Sequence, residues 1–193
     1  MPDDAGVGLV PGRRCGGCTV CCKELTIDTD ALRKVQGVTC VHCIPSGGCT
    51  IYPRWPAICR DWYCLWRHYA WLDDSWRPDR CQILLRATDD DVPAGYAAGP
   101  GVVVDILGPS DVLLRYEVVM VIVRLVAADV ATFLSVPGLP GYASGRVLLN
   151  PSLLVPLHDG DGDTLRRRLV EAFLRSALHP KVAIELEAVW PER

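Results

Sequence analysis

All ten cysteines of this 193-residue chain fall between Cys15 and Cys81, and four of them stand in the eight residues of CGGCTVCC, Cys15 to Cys22. No other feature limits the fold so strongly. Thiols at this density are either cross-linked or given to metal. The opening residues MPDDAGVGLVPGRR lack the basic stretch followed by an apolar one that marks a secretory leader. The expected compartment is therefore cytoplasmic and reducing, where metal binding is expected over disulfides.

The spacing allows more than one partition. Cys15-x2-Cys18-x2-Cys21 matches a ferredoxin-type run, without the usual x3-Cys-Pro continuation, so its fourth ligand must come from farther along. Cys15-x2-Cys18 with Cys40-x2-Cys43 instead makes two zinc-ribbon-like knuckles, with a gap of 21 residues against the usual ~15–20. Zinc and iron–sulfur clusters both take sets of four thiolates, so the metal stays open between zinc and iron, a 4Fe–4S cluster included. His42 lies between Cys40 and Cys43 as a further candidate ligand.

Cys21 and Cys22 restrict the choice. Neighbours on an extended segment point in opposite directions. They are expected to serve two centres or one polynuclear centre, unless one is a spectator. Cys59 and Cys64 would stand ~140° apart on a continuous helix. Either the helix starts after Cys59 or the two serve different centres. For Cys43, Cys64 and Cys81 the competing expectation is a small buried hydrophobe.

Periodicity predicts an α+β chain: a small irregular cysteine-rich lobe over 12–82, then a mixed α/β lobe over 83–193 whose role the sequence does not define. In the first lobe, CGGCTVCC reads as a loop in which Gly16 and Gly17 supply positive φ angles. DTDALRKVQ reads as a short helix capped by Asp28 or Asp30, and GGCTIY as a short strand. PAICRDWYCLWRHYAWL reads as one helix with Pro56 in its first turn and a stripe of Trp62, Trp66, Tyr69 and Leu72. Eight of the fourteen aromatic residues lie between Tyr52 and Trp76. They are expected to form core where aliphatics are scarce, ahead of a stacking platform for a base.

In the second lobe, QILLRAT and GVVVDIL read as strands, and TDDDVPAGYAAGPG as the loop between them. Residues 112–134 read as a helix with Val118, Val121, Ile122, Leu125 and Val126 inward. GRVLLNPSLLVPL reads as a strand edged by Pro151. DTLRRRLVEAFLRSAL reads as a helix with Asp163 as N-cap and Leu165, Leu169, Ala172, Phe173 and Leu178 inward. Arg166–Arg168 read as a solvated face, and HDGDGD as a turn without the later glutamate of a calcium loop.

The residues CGGCTVCC, then Cys40, GCTIY, a proline and CRDWYC resemble the YkgJ-like CxxCxxCC cysteine-cluster family of zinc- or iron-chelating proteins. The likeness covers about residues 15–81. It implies metal ligation by Cys15, Cys18, Cys21, Cys22, Cys40, Cys49 and Cys59, with Cys64 or Cys81 as an eighth; Cys64 is the choice carried forward. The family usually has Tyr-x-x-Arg-Pro-x-x-Cys. Here the run is YPRWPAIC, with Trp55 in the arginine position and Arg54 one place early. The cluster is also similar to that of flagellin lysine N-methylases, which implies an iron–sulfur centre. No glycine-rich S-adenosylmethionine loop accompanies it.

Three functions follow as expectations: a zinc or iron chelator, an iron–sulfur protein that transfers electrons or supports an enzyme such as a methyltransferase, or a zinc module for protein or nucleic-acid contact. Net charge is −3, with ten basic residues against nine acidic in 1–82 and ten against fourteen in 83–193. That balance disfavours nucleic acid. The apolar stretch VVMVIVRLVAADVATFLSV is broken by Arg124 and Asp129, so no membrane span is expected. The apolar second lobe suits a protein partner or a homodimer. No Ser-His-Asp or Cys-His pair stands out, and whether the chain is an enzyme stays open.

Overall fold

The computed structural model describes residues 8–51, 54–96, 99–180 and 182–186. The fold is α+β. A cysteine-bearing segment with short elements comes first: α1 (Val20–Glu24), β1 (Ile27–Thr29), β2 (Leu32–Lys34), α2 (Ala57–Asp61), α3 (Leu65–His68) and α4 (Pro78–Cys81). Then follow β3 (Ile83–Thr88), β4 (Gly101–Ile106), α5 (Tyr116–Ala127), β5 (Thr132–Ser135), β6 (Arg146–Leu148), α6 (Asn150–His158) and α7 (Gly162–Ala177). Among the described residues no helix is long and apolar enough to cross a membrane.

Strands β3, β4, β5 and β6 form one sheet in that order. The β3–β4 and β5–β6 pairs are antiparallel, and β4–β5 is parallel, with α5 in the crossover. Ile83, Leu85, Val102, Val104, Ile106 and Leu134 share a core with Val118, Val121, Ile122, Leu125 and Val126 of α5. Those five are the residues that the helical period puts on one face. Each side chain so buried contributes about 1.5–3 kcal/mol. Helices α6 and α7 close the same core with Leu153, Leu165, Leu169 and Ala172.

Two buried side chains fasten these helices to the sheet. Asn150 accepts from Thr132 N at 2.8 Å and donates to Val130 O at 2.9 Å. Ser176 donates to Gly145 O at 2.7 Å and accepts from Val136 N at 2.8 Å.

Several elements differ from the sequence reading. DTDALRKVQ forms the β1–β2 hairpin, with Thr29 paired to Leu32. The Thr29 hydroxyl closes that turn by bonding Leu32 N and O. Its two central residues, Asp30 and Ala31, lack the glycine or asparagine that usually announces such a hairpin. GGCTIY is not a strand in its described residues; only Cys49 bridges, to Cys43, and Tyr52 lies outside the described residues. The long aromatic helix is broken into α2 and α3, with Trp62 extended at φ −107°, ψ 128°. The expected helix over 112–134 stops at Ala127, and Asp129 turns the chain at φ +57° into β5. NPSLLVPLH is α6, with Pro151 in its first turn, where the missing N–H costs nothing. The N-cap of α7 is Asp161, which accepts from Thr164 N at 2.9 Å. Leu178 is 80% exposed, not inward.

Residues on either side of position 82 share one core: Cys64, Leu65, Trp66, Leu72 and Trp76 pack with Leu84 and Leu113. The aromatic residues there serve as core. Arg13 bonds the carbonyls of Trp66, Tyr69 and Leu72 and lies 5.3 Å from the Trp66 ring centre. Gly37 approaches Pro140 so closely that a Cβ would stand 2.9 Å from Pro140 Cα.

The substitution Asn150→Ala leaves a buried N–H and a buried C=O without partners. It should lower the unfolding free energy by about 3 kcal/mol, read by urea denaturation. A loss under about 1 kcal/mol would show that water or backbone movement replaces both bonds.

Candidate metal centre

The cysteines are placed by turns, and backbone hydrogen bonds set the turns. Cys18 N donates to Cys15 O at 2.9 Å, and Gly16 takes φ +55°. Gly17 keeps an ordinary φ, but the space beside it matters. A Cβ at Gly47 would stand 2.8 Å from Gly17 O, so this glycine lets the 43–49 turn close onto the first loop. That turn is stitched by Cys43 N to Cys40 O at 3.0 Å and Thr50 N to His42 O at 2.9 Å. Cys40 N donates to Cys22 O at 2.9 Å, which brings Cys40 to the end of CGGCTVCC.

CGGCTVCC is a loop only as far as Thr19. Cys21 and Cys22 lie on α1, so neighbouring side chains diverge by about 100° rather than 180°. Their thiols interact directly. The bond with Cys21 and burial both push the Cys22 thiol far up, while a bond with Cys43 pulls it down. The expectation of opposed side chains held only for an extended backbone.

Two sulfur neighbourhoods emerge. In the first, Cys64 sits beside Cys15 and Cys18. Burial pushes Cys64 up to about 12, with the Cys15 charge adding to it. Cys18 is pushed up to about 11, mainly by burial, and bonds the carboxylate of Asp79. In the second, Cys22 lies near Cys40, Cys43, Cys49 and Cys59. Cys43 is pushed up to about 12 by burial and then by Cys22, and Cys59 is raised by burial and then by Cys22, Cys40 and Cys49. Cys21 is attached to this second neighbourhood through Cys22. Cys59 on α2 and Cys64 at the start of α3 belong to different neighbourhoods, divided by the break in the helix.

Cys15, Cys18, Cys21, Cys22, Cys40, Cys49, Cys59 and Cys64 all line one cavity of about 750 Å³, together with His42, Trp55, Trp62, Tyr63 and Trp66. His42 contributes its backbone N–H to Cys40 Sγ at 3.5 Å. Among the described residues, no three Cys, His, Asp or Glu side chains are drawn together closely enough to hold an ion. Neutral thiols have no attraction to gather them, and ligation requires their deprotonation.

The surroundings test whether these sulfurs suit a metal. Arg67 is 1% exposed and donates through Nη1 to Cys15 Sγ at 3.5 Å, over the Tyr63 ring at 4.7 Å. Its Nε has no partner among the described residues. Lys34, 6% exposed, bonds the carbonyls of Lys23 and Leu25. Burial pulls the Lys34 ammonium down, and the sulfurs of Cys40 and Cys22 push it back up. Each sulfur neighbourhood thus has a buried cation beside it. The donor chemistry fits a thiolate-bound metal, whose net negative charge would satisfy both.

Sequence reasoning passed over Arg67 and Lys34, and weighed Cys43 as a knuckle partner of Cys40 but left it out of the chosen ligand set. Cys43 repeats the Cys-x-x-Cys spacing of Cys15 and Cys18, and that was its signal. Arg67 showed itself only as a charge within an aromatic run. Lys34 was placed on a helix that does not form. Cys81 lies outside the cavity lining and donates its thiol toward Trp76 O at 3.4 Å and Ile83 O at 3.3 Å.

The chain is therefore an α+β protein with a sulfur-lined cavity beside its sheet. No protein-family model, no curated protein and no solved structure matches it.

Burial pushes the Cys81 thiol from 9.0 up to about 11. The folded state therefore holds this proton more tightly than the unfolded chain. Its contribution to stability is complete below pH 9.0 and is lost as pH rises toward about 11. In native, metal-stripped protein at neutral pH, Cys81 should react with iodoacetamide more slowly than Cys49, read by peptide mass spectrometry. Labelling of Cys81 as fast as Cys49 would contradict its placement.

Proposed function

We propose that this chain is a metal-binding protein that chelates zinc or iron through its cysteine cluster. The observation that carries the reading is the pairing of buried cations with sulfur. Arg67 and Lys34 are each held against cysteines, with no hydrogen bond to a carboxylate among the described residues. A buried cation beside neutral thiols costs several kcal/mol. Beside thiolates on a metal it is compensated. The first neighbourhood would supply Cys15, Cys18 and Cys64, and the second Cys22, Cys40, Cys49 and Cys59, with Cys21 and Cys43 at hand for either shell. The metal would be a structural or redox centre held by sulfur.

An iron–sulfur protein that transfers electrons or supports an enzyme is the second reading. The size of the cavity, about 750 Å³, favours it, because a single tetrahedral ion needs far less room. The aromatic lining would lower the local dielectric around such a cluster. The resemblance to the CxxCxxCC family supports both readings and does not choose between them. A zinc module for contacts with another protein or a nucleic acid is the third, and the slight negative charge counts against nucleic acid. Under this reading a reducing compartment such as the cytoplasm suits the protein, since thiolate ligands survive there.

Anaerobic purification followed by measurement of iron, zinc and acid-labile sulfide should find thiolate-bound metal in the chain. Iron with equimolar sulfide and broad visible absorbance selects the cluster, and colourless zinc selects the chelator. Protein that neither contains nor takes up either metal would sink the proposal.

Arg67→Met should lower retained metal severalfold, while Arg60→Met, at an exposed site, should not. Equal retention by both would show that Arg67 does not answer to sulfur charge. Chelation should strip order from the turns over 15–59 and leave the sheet intact, read by amide hydrogen exchange. Unchanged exchange over those turns would show that they stand without metal.

A further inference from the structure

The turn that carries Cys43 and Cys49 holds these two residues in a relation that metal ligation does not ask for. They form an isolated antiparallel bridge. Thr50 N donates to His42 O at 2.9 Å and Ile44 N to Gly48 O at 3.2 Å, so the backbone bonds flank the pair. Cys43 and Cys49 are therefore a non-hydrogen-bonded cross-strand pair. At such positions the Cα atoms stand about 4.5 Å apart and the side chains share one face. A disulfide takes Cα atoms about 4.4–6.8 Å apart. The register brings the two cysteines within that span.

Local sequence holds that register. Gly47 N donates to Ile44 O at 2.9 Å, and Gly47 and Gly48 take φ +95° and +104°, which a side chain would resist. Cys43 and Cys49 are both free and half-buried, whereas Cys40 and Cys64 are buried. A small solute can therefore reach the pair. The two differ in what they face. Cys49 lines the cavity and belongs to the ligand set that sequence implies, and Cys43 belongs to neither. Cys22 is the rival partner, because its thiol bonds Cys43 from α1. That contact crosses between separate elements, while Cys43 and Cys49 are tied together by the backbone of one short turn.

We propose that Cys43 and Cys49 form a reversible disulfide, with hydrogen peroxide as the oxidant, and that this link withdraws Cys49 from the second sulfur neighbourhood. One thiol gives up its proton, and its sulfur attacks a peroxide oxygen. The O–O bond breaks, and the departing hydroxide takes that proton and leaves as water. The other sulfur, having lost its own proton, attacks the sulfenic acid so formed. The S–O bond breaks, the S–S bond forms, and a second water leaves in the same way. The two thiols lose two electrons, and the peroxide gains them. The pairing itself needs no metal. Its consequence rests on the proposed chelation: of the four sulfurs assigned to that neighbourhood three remain, one short of what zinc or a cluster takes. Cys43 is then the sulfur that resolves an oxidised ligand.

Reduced, metal-stripped protein is treated with equimolar hydrogen peroxide, blocked with N-ethylmaleimide and digested with trypsin. Residues 35–54 then form one peptide that holds Cys40, Cys43 and Cys49. In mass spectrometry it should carry a single maleimide, on Cys40, with Cys43 and Cys49 linked. Dithiothreitol before blocking should return a label to all three. A peptide 35–54 joined to 15–23, which holds Cys22, would overturn the pairing. So would a link through Cys40, or a peptide still labelled at every cysteine. Zinc is the probe for the consequence, since it has no redox chemistry of its own. Peroxide should release zinc from loaded protein, read with a zinc-sensitive dye. In Cys43→Ser the fraction released per unit time should fall severalfold, at a melting temperature near that of the parent. Equal fractional release would overturn the withdrawal of Cys49. A chain that forms the 43–49 link and takes up no metal upholds the pair while the metal reading fails. A chain that holds metal and forms no link does the reverse.

Discussion

Burying a cation is among the most costly things a fold can do, and this one buries two on its sulfur side, Lys34 with the Glu24 carboxylate in its surroundings. Lys34 and Arg67 are 6% and 1% exposed. Backbone carbonyls receive Lys34, while Arg67 has the Cys15 sulfur and the Tyr63 ring. Burial costs each cation several kcal/mol, and a neutral thiol is too weak an acceptor to return it. A thiolate is not. The arrangement is therefore stable in proportion to the negative charge on the sulfurs. That ties the charge carried by the nearby sulfurs to the packing of β2 and α3.

The sheet serves both halves of the molecule because its two faces differ. One face is aliphatic and packs on α5, α6 and α7. The other alternates Val103 and Phe133 with Arg86, Asp105 and Arg146, and its polar row reaches the cavity. Strand geometry makes this division sharp, since alternate residues point to opposite sides. The parallel β4–β5 pair requires a crossover, and α5 supplies it on the aliphatic side. The opposite face is thus left for the cysteine segment.

Much of the second half could be read from sequence because its elements are long enough to show a period. The five inward residues of α5 and the strands β3 and β4 follow from spacing alone. Shorter elements carry no such period. β5 was absorbed into α5 because VAADVATFLS stays apolar across Asp129, and only a left-handed turn there ends the helix. Pro151 was read as a strand edge, although a first-turn proline suits a helix equally well. In the cysteine segment, nearly every element has five residues or fewer, and hydrogen bonds between distant turns decide its shape. The density of sulfur was legible there, and the break between Cys59 and Cys64 was among the readings their spacing allowed. Which sulfurs meet was not, because it depends on Cys22 receiving Cys40 and on Gly47 approaching Gly17.

The two sulfur neighbourhoods also differ in what anchors them. Cys64 and Trp66 belong to the core shared with Leu84, so the first neighbourhood has one ligand and its cation fixed by hydrophobic packing. Arg13 reinforces that point by bonding three carbonyls of the same stretch. The second neighbourhood rests on α1, α2 and the 40–49 turns. Neither α1 nor α2 buries a residue. Apolar burial therefore does little to order it, and ligation has correspondingly more to supply. The first neighbourhood is thus the better anchored of the two, and a metal bound there would have less backbone to order. A metal bound at the second would have to assemble it, at a cost in affinity from the entropy of ordering those turns. If both are filled, they fill in that order.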